Sequence, residues 1–357
     1  KKAIHHFKNA LKLKPDSIEA QINISNIYIS QLDNTKNAIK ESYKALKMFH
    51  KKSQFISQNI SLYRLKHDLQ QAEYLSLKKH KVDGVNQFIK TGNKILEHNN
   101  NTESSNNEIS FSLSNDEANS LLPFYKANYL YETTHISEGC INPAKNWKEI
   151  EDEYFNSPKQ IIYIDNFLSE QAIVELREFC MISKIWIEER KNKYLGSFSD
   201  KGFVSPIHLK VAMELKNKLP KLFGKHRLGR FWAFKYDSFL GKGINIHADF
   251  ALINLNFWIT PDEFNNNKNG GGLKIYDTPA PEDWTFQKYN VNADEIYKLL
   301  QTRKANCTNI PHKFNRAVLF NSDYFHETDK INFKDEYEAR RINITYLFGD
   351  RLFKKKD

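Results

Sequence analysis

The octapeptide Arg341-Ile342-Asn343-Ile344-Thr345-Tyr346-Leu347-Phe348 puts Arg341, Asn343 and Thr345 on one side of an extended chain and Ile342, Ile344, Tyr346 and Phe348 on the other. That period of two belongs to a strand, and a helix would scatter both sets around its circumference. Further short apolar runs stand at 231–236, 253–259, 273–276 and Ala317–Asn321, separated by Gly, Asn and Pro. Strands of this length with turn signals between them predict a sandwich or barrel in the C-terminal half. Ile161–Ile164 is a strand candidate ahead of it. Ser169 is placed to cap a helix running to about Ser183, and Ser205-Pro206 reads as N-cap and N1 of a second helix ending before Pro220.

The N-terminal third has a different texture. Ala3, Phe7, Ala10 and Pro15 stand at offsets 0, 4, 7 and 12, and Ser25, Tyr28, Ala38 and Ala45 continue the pattern. The segment resembles a tetratricopeptide array entered in mid-repeat, with Ala38 and Ala45 one residue beyond the 34-residue period. One and a half repeats do not make a stable solenoid. The chain opens on Lys1 and not Met, so upstream repeats are expected to precede it. Helical spacing continues through Ile60, Leu62, Leu65, Leu69, Tyr74, Leu75 and Leu77, and the polar run His98 to Asn107 reads as a linker. The expected division is repeats at 1–50, further helices at 51–97, a linker at 98–110, short helices at 111–157 with a stop at Pro123, and the strand-rich domain at 158–353. The fold class is α+β and multidomain.

Composition narrows the functional classes. No stretch approaches the ~18 uninterrupted apolar residues of a membrane helix, and mean hydropathy is −0.65. Cys140, Cys180 and Cys307 are odd in number and far apart, which argues against a disulfide framework or zinc pair and for a reducing, cytoplasmic compartment. The 53 basic against 43 acidic residues leave a net charge of +10, a balance that favours anionic partners. Acidic and basic residues are interspersed except in the tail Lys354, Lys355, Lys356, so most of this charge reads as solvated surface and charge alone does not make a nucleic-acid binder.

His247-Ala248-Asp249 carries the chemistry. Residues two apart on a strand face the same way, so an imidazole and a carboxylate converge, and His326 follows the apolar run Ala317–Asn321. Two histidines and one carboxylate form the facial ligand set that leaves three positions open on octahedral Fe(II). Alone, these three residues read better as a surface histidine beside a solvated carboxylate. Arg341, fifteen residues past His326, changes the balance. A guanidinium on a strand at a barrel mouth can grip a carboxylate bidentately, with Asn343 adding a hydrogen bond.

On His247, Asp249, His326 and Arg341 in this order, residues 158–350 resemble the Fe(II)/2-oxoglutarate-dependent dioxygenases, which have a double-stranded β-helix (jelly-roll) fold. Gly270-Gly271-Gly272-Leu273 between the halves of the triad is similar to their Gly-Gly turn, and Tyr163-Ile164-Asp165-Asn166-Phe167-Leu168 to their entry segment. The resemblance implies iron on the triad, 2-oxoglutarate on Arg341, and Tyr236 aimed at the cosubstrate. It also implies O2 as co-reactant, with decarboxylation to succinate and CO2 coupled to C–H hydroxylation. Asp249 fills the position a halogenase would leave for chloride. Arg340 is an alternative cosubstrate arginine, but it shares the parity of Ile342 and Ile344. Arg-x-Asn-x-Thr is similar to AlkB-type demethylases, yet Leu347 stands where those carry a second arginine.

The expected substrate is a protein side chain, presented by a peptide held on the helical repeats. A small-molecule hydroxylase, a nucleic-acid demethylase and a non-catalytic repeat scaffold are the alternatives. The loop 277–284 is expected at the mouth. Trp232, Trp258 and Trp284 read as core aromatics, His208, His226 and His312 as surface or hydrogen-bonded residues, and Cys307 as a plain small residue. The three glycines are no phosphate loop, because no Gly-Lys-Ser/Thr follows.

Overall fold

A computed structural model describes residues 2–52, 59–99, 110–190, 192–237 and 243–351. The expected linker falls mostly outside the described residues, as does the lysine tail. The strands are β1 (Asn59–Ser61), β2 (Ser110–Ser112), β3 (Ile161–Ile164), β4 (Glu188–Arg190), β5 (Tyr194–Phe198), β6 (Leu228–Tyr236), β7 (Ile253–Trp258), β8 (Leu273–Pro279), β9 (Cys307–Ile310), β10 (Ala317–Asn321), β11 (Tyr324–Thr328) and β12 (Arg341–Phe348). Seven form an antiparallel major sheet in the order β3-β10-β7-β12-β6-β5-β4, and β11-β8-β9 form a minor one. Side chains of both sheets line one narrow cavity between them.

The central strand β12 is buried along its whole length. Its even-numbered residues join the main core with α8 (Glu170–Ile182) and α9 (Pro206–Lys218), each such side chain contributing ~1.5–3 kcal/mol. Its odd-numbered residues Arg341, Asn343 and Thr345 face the cavity side. Helix α8 begins where Ser169 Oγ accepts from Ala172 N–H, and α9 has Ser205 as N-cap with Pro206 at its first position.

The N-terminal region holds α1 (Lys2–Leu13), α2 (Ile18–Ile29), α3 (Thr35–Lys52), α4 (Leu62–Leu77), α5 (Val85–Asn99), α6 (Asn115–Lys126) and, after an irregular stretch, α7 (Trp147–Asn156). Helices α1 to α3 pack in sequence on one another, but they do not stand apart as a solenoid. Ser42 of α3 donates to Ser199 O (2.6 Å) and accepts from Gly202 N–H (2.7 Å), while Tyr43 donates to Val204 O. Gly202 has φ +100°, and a Cβ there would lie 2.6 Å from Leu46. So short an array has no neighbouring repeat to stack on, and the sheet domain takes that place.

Three expectations need correction. Ile60 belongs to β1, paired with Phe111 of β2, and not to a helix. Pro123 does not stop α6, which runs on to Lys126. Its cost is offset by Phe124 and Tyr125, which pack on Phe88 at 4.3 and 5.2 Å between ring centroids. Of the two alternatives for His208 and His312, surface or hydrogen-bonded, the surface one falls, because both are buried. His208 bonds Ser205 Oγ (2.8 Å), and His312 lies 3.5 Å from Asp262. Among the described residues no helix is long and apolar enough to cross a membrane.

Candidate metal centre

His247 and His326 come from distant parts of the chain, and the backbone joins them directly. His247 N–H donates to His326 O (3.0 Å) and His326 N–H to His247 O (2.8 Å), an antiparallel bridge that sets the two rings 4.3 Å apart. His326 lies on β11, whereas residues 247–249 form this bridge alone and are not the strand expected of them. Convergence still results. Ala248 is gripped by Tyr289 O and Asn290 Nδ2, and Asp249 N–H donates to Ser322 O (3.2 Å).

The Asp249 carboxylate lies 3.8 Å from His247 Nε2 and 3.5 Å from His326 Nε2. One ligand atom from each of the three residues falls within a 4.8 Å cluster. Each histidine has Nδ1 beside a carbonyl two residues back, Asn245 O (2.8 Å) and Tyr324 O (3.0 Å). Donation there fixes the proton on Nδ1 and leaves the Nε2 lone pairs directed toward Asp249. Burial, reinforced by His326, pulls His247 down to about 4. Burial opposes ionisation of Asp249, but the adjacent His326 and His247 rings and the Asn254 amide outweigh it, so its carboxyl titrates below the ordinary range. Asn254 Nδ2 donates to Asp249 Oδ2 (2.7 Å), the oxygen nearest His326.

Arg341 stands behind the cavity wall, fully buried. Its Nε donates to Gly271 O (2.6 Å), Nη2 to Gly272 O (3.3 Å) and Nη1 to Asn343 Oδ1 (3.0 Å). The guanidinium lies 5.0 Å from the ring centre of Tyr236, its cross-strand partner. Burial lowers its pKa to about 10, so it remains charged at neutral pH. Among the described residues it forms no ion pair with a carboxylate. The glycine turn thus has a function in its carbonyls. Gly271 has φ +78°, and a Cβ on Gly272 would sit 1.9 Å from Ile310 O, so only glycine fits.

Of the six residues singled out in the sequence, His247, Asp249, His326, Asn343 and Tyr236 line this cavity, and Arg341 lies directly behind Asn343 and Tyr236. Asn254 and Asn256 of β7, Thr345 of β12 and Trp232 and Phe234 of β6 complete its wall. The signal for the asparagines was two amides alternating inside the apolar run Ile253-Asn254-Leu255-Asn256-Phe257. The 277–284 segment does not line the cavity. Residues 277–279 end β8, and Trp284 packs on Phe325.

Among the described residues, the buried Asn254 Oδ1, Asn256 Oδ1 and Trp232 Nε1 have no hydrogen-bond partners. The Tyr236 hydroxyl lies beside Arg341 and Thr328 without a well-formed bond. Each such group costs ~1–3 kcal/mol unless a ligand satisfies it. Two neutral imidazoles with one carboxylate fit Fe(II), and an unpaired guanidinium with orphaned polar atoms fits a small dianion.

Neither a family model nor any curated protein matches the sequence. Among solved structures the chain is similar to the non-heme alpha ketoglutarate dependent carbocyclase SnoK from nogalamycin biosynthesis (10% identity over 57% of this chain and 83% of that one, TM-score 0.42). It is also similar to the epimerase SnoN of the same biosynthesis (11%, 60% and 89%, TM-score 0.40) and to a Pseudomonas putida prolyl-4-hydroxylase (13%, 61% and 100%, TM-score 0.34). At this distance the likeness assigns nothing to the chain, and the functional reading rests on its own residues.

Proposed function

We propose that this chain is an Fe(II)- and 2-oxoglutarate-dependent oxygenase that hydroxylates a C–H bond, with a protein side chain as substrate. The observation that carries the reading is one cavity that brings a His-Asp-His cluster together with Asn343 and Tyr236, both in contact with Arg341, a charged guanidinium that has no carboxylate partner among the described residues. His247, Asp249 and His326 would hold the iron, and Arg341, Asn343 and Tyr236 the far carboxylate of 2-oxoglutarate. Bound there, the pair activates O2 through decarboxylation of 2-oxoglutarate to succinate and CO2.

The chain's own residues supply the setting. The carbonyls of Gly271 and Gly272 and the Asn343 amide oxygen hold Arg341 in one orientation, which leaves its charge to be neutralised by an incoming carboxylate. Asn254 fixes the Asp249 carboxylate, and the Nδ1 contacts fix both imidazoles. Trp232, Phe234 and Leu273 keep the cavity apolar between the two polar ends and limit the entry of water. Packing of α1 to α3 on the sheet domain supports a protein substrate over a small metabolite.

Anaerobic titration with Fe(II) and 2-oxoglutarate, followed by the visible charge-transfer band of the chelate, tests the reading. A band is expected that His247→Ala abolishes. No band in demonstrably folded wild-type protein would overturn the assignment and leave a scaffold.

A further inference from the structure

A second concavity, of about 460 Å³, runs between the N-terminal helices and the rim of the major sheet. Phe7 of α1 and Asn23, Asn26, Ile27 and Ser30 of α2 form one bank; Arg227, Gly229, Arg230, Phe250 and Asp350 form the other. Its size is that of ligand sites in general.

Two features tie it to the metal centre. Arg230 shares the cavity face of β6 with Trp232, Phe234 and Tyr236, since all four have the same parity. In sheet register Arg230 pairs with Leu347, and Leu347 with Asn254, the residue that holds Asp249. Two strand spacings put Arg230 ~10 Å across the sheet from Asn254. Phe250, on the same bank, is the next residue after Asp249 and packs with the Trp232 cluster. The groove therefore opens beside the candidate active site on the same face of the sheet.

Its chemistry selects the occupant. Arg227 is paired with Asp350 at 3.1 Å, and Arg230 is the second cation of the lining, exposed on the rim and also felt by the buried Asp200 carboxylate behind Asn26. Along α2, Asn23 Nδ2 donates to Glu19 O and Asn26 Nδ2 to Asp200 Oδ2, while Asn26 Oδ1 has no hydrogen-bond partner among the described residues. That open acceptor can take an N–H of an extended backbone, and Phe7, Ile27 and Phe250 offer apolar contact.

We infer that this groove binds an extended polypeptide segment bearing an acidic residue, with Arg230 as the specificity-determining residue that pairs with it and a neighbouring side chain delivered to the metal. The inference rests on the oxygenase reading for the fate of the peptide, but not for its binding.

The test selects displayed random dodecapeptides on the immobilised full chain, then titrates the strongest binder, fluorescein-labelled, by anisotropy. Binders rich in Asp and Glu are expected. Arg230→Gln and, independently, the groove-filling Asn23→Trp should each weaken binding by about tenfold or more. Both variants should keep the anaerobic Fe(II)–2-oxoglutarate band, which shows that they fold. Binders without acidic residues, or affinity that neither substitution moves, would overturn the inference. So would Arg230-dependent binding of labelled oligo-dT in place of any peptide, which would make the groove a nucleic-acid site. Peptide binding that follows the expected pattern in a protein without the band would support the groove and remove the oxygenase reading alone.

Discussion

Arg341 shows how far one residue can specify a ligand. A buried guanidinium at neutral pH costs several kcal/mol unless its charge is met, and three oxygens of neutral groups meet it only partly. Arg341→Ala should abolish 2-oxoglutarate turnover yet leave Fe(II) affinity, measured by anaerobic titration, within about threefold of wild type, because none of the three ligands touches it. Loss of iron together with turnover would make its role structural. His208 gives a pH-dependent expectation of the same scale. Burial holds it neutral, with a folded pKa of about 3 against the ordinary 6.5. The unfolded chain therefore binds the extra proton first, so stability is intact above pH 6.5 and falls as pH drops toward 3. His208→Phe, which keeps the stacking on Phe231, should flatten the urea-midpoint profile between pH 6.5 and 4. An unchanged slope would mean that other groups govern acid unfolding.

At the scale of elements, α4 reaches the cosubstrate end from behind the sheet. Tyr63 donates to Lys235 O, Arg340 bonds Gln70, and Asp237 pairs with Arg340 at 2.9 Å and Lys66 at 3.5 Å. These contacts flank Tyr236 on β6 and Arg341 on β12. Asp237→Asn should raise the KM for 2-oxoglutarate several-fold without altering metal affinity, besides lowering stability by about 3 kcal/mol. A fall in stability with KM unmoved would reduce the pair to a structural one. Legibility at this scale was uneven. Strict alternation in β12 disclosed Arg341, Asn343 and Thr345 because local geometry alone sets their face. By contrast, residues 247–249 looked like a strand, but their conformation depends on an exchange of hydrogen bonds with His326, a long-range pairing with no local pattern. Ile60 was misread for the same reason, its partner Phe111 lying beyond the polar run.

For the molecule as a whole, the question left open by the sequence was whether the helical third merely flanks the sheets. Periodicity identifies which face of a helix is apolar but not what will cover it. The small residues along α3 looked like contacts between repeats, and Ser42 instead grips the 199–202 turn of the sheet domain. Ser42→Leu would remove both hydrogen bonds and force a larger side chain against the turn. A loss of about 2–3 kcal/mol is expected in denaturant titrations, as one cooperative transition. Two separated transitions would show that the helices and sheets fold as independent units.

The mutual backbone pair of His247 and His326 has a further consequence for experiment. Their imidazoles would serve a metal, but the two amides serve each other, and truncating a side chain does not remove an amide. Hydrogen–deuterium exchange at these two positions thus reports whether the clasp is shut independently of what the rings hold. In His247→Ala both amides should stay protected while the ligand set falls to two, so the variant isolates coordination from architecture.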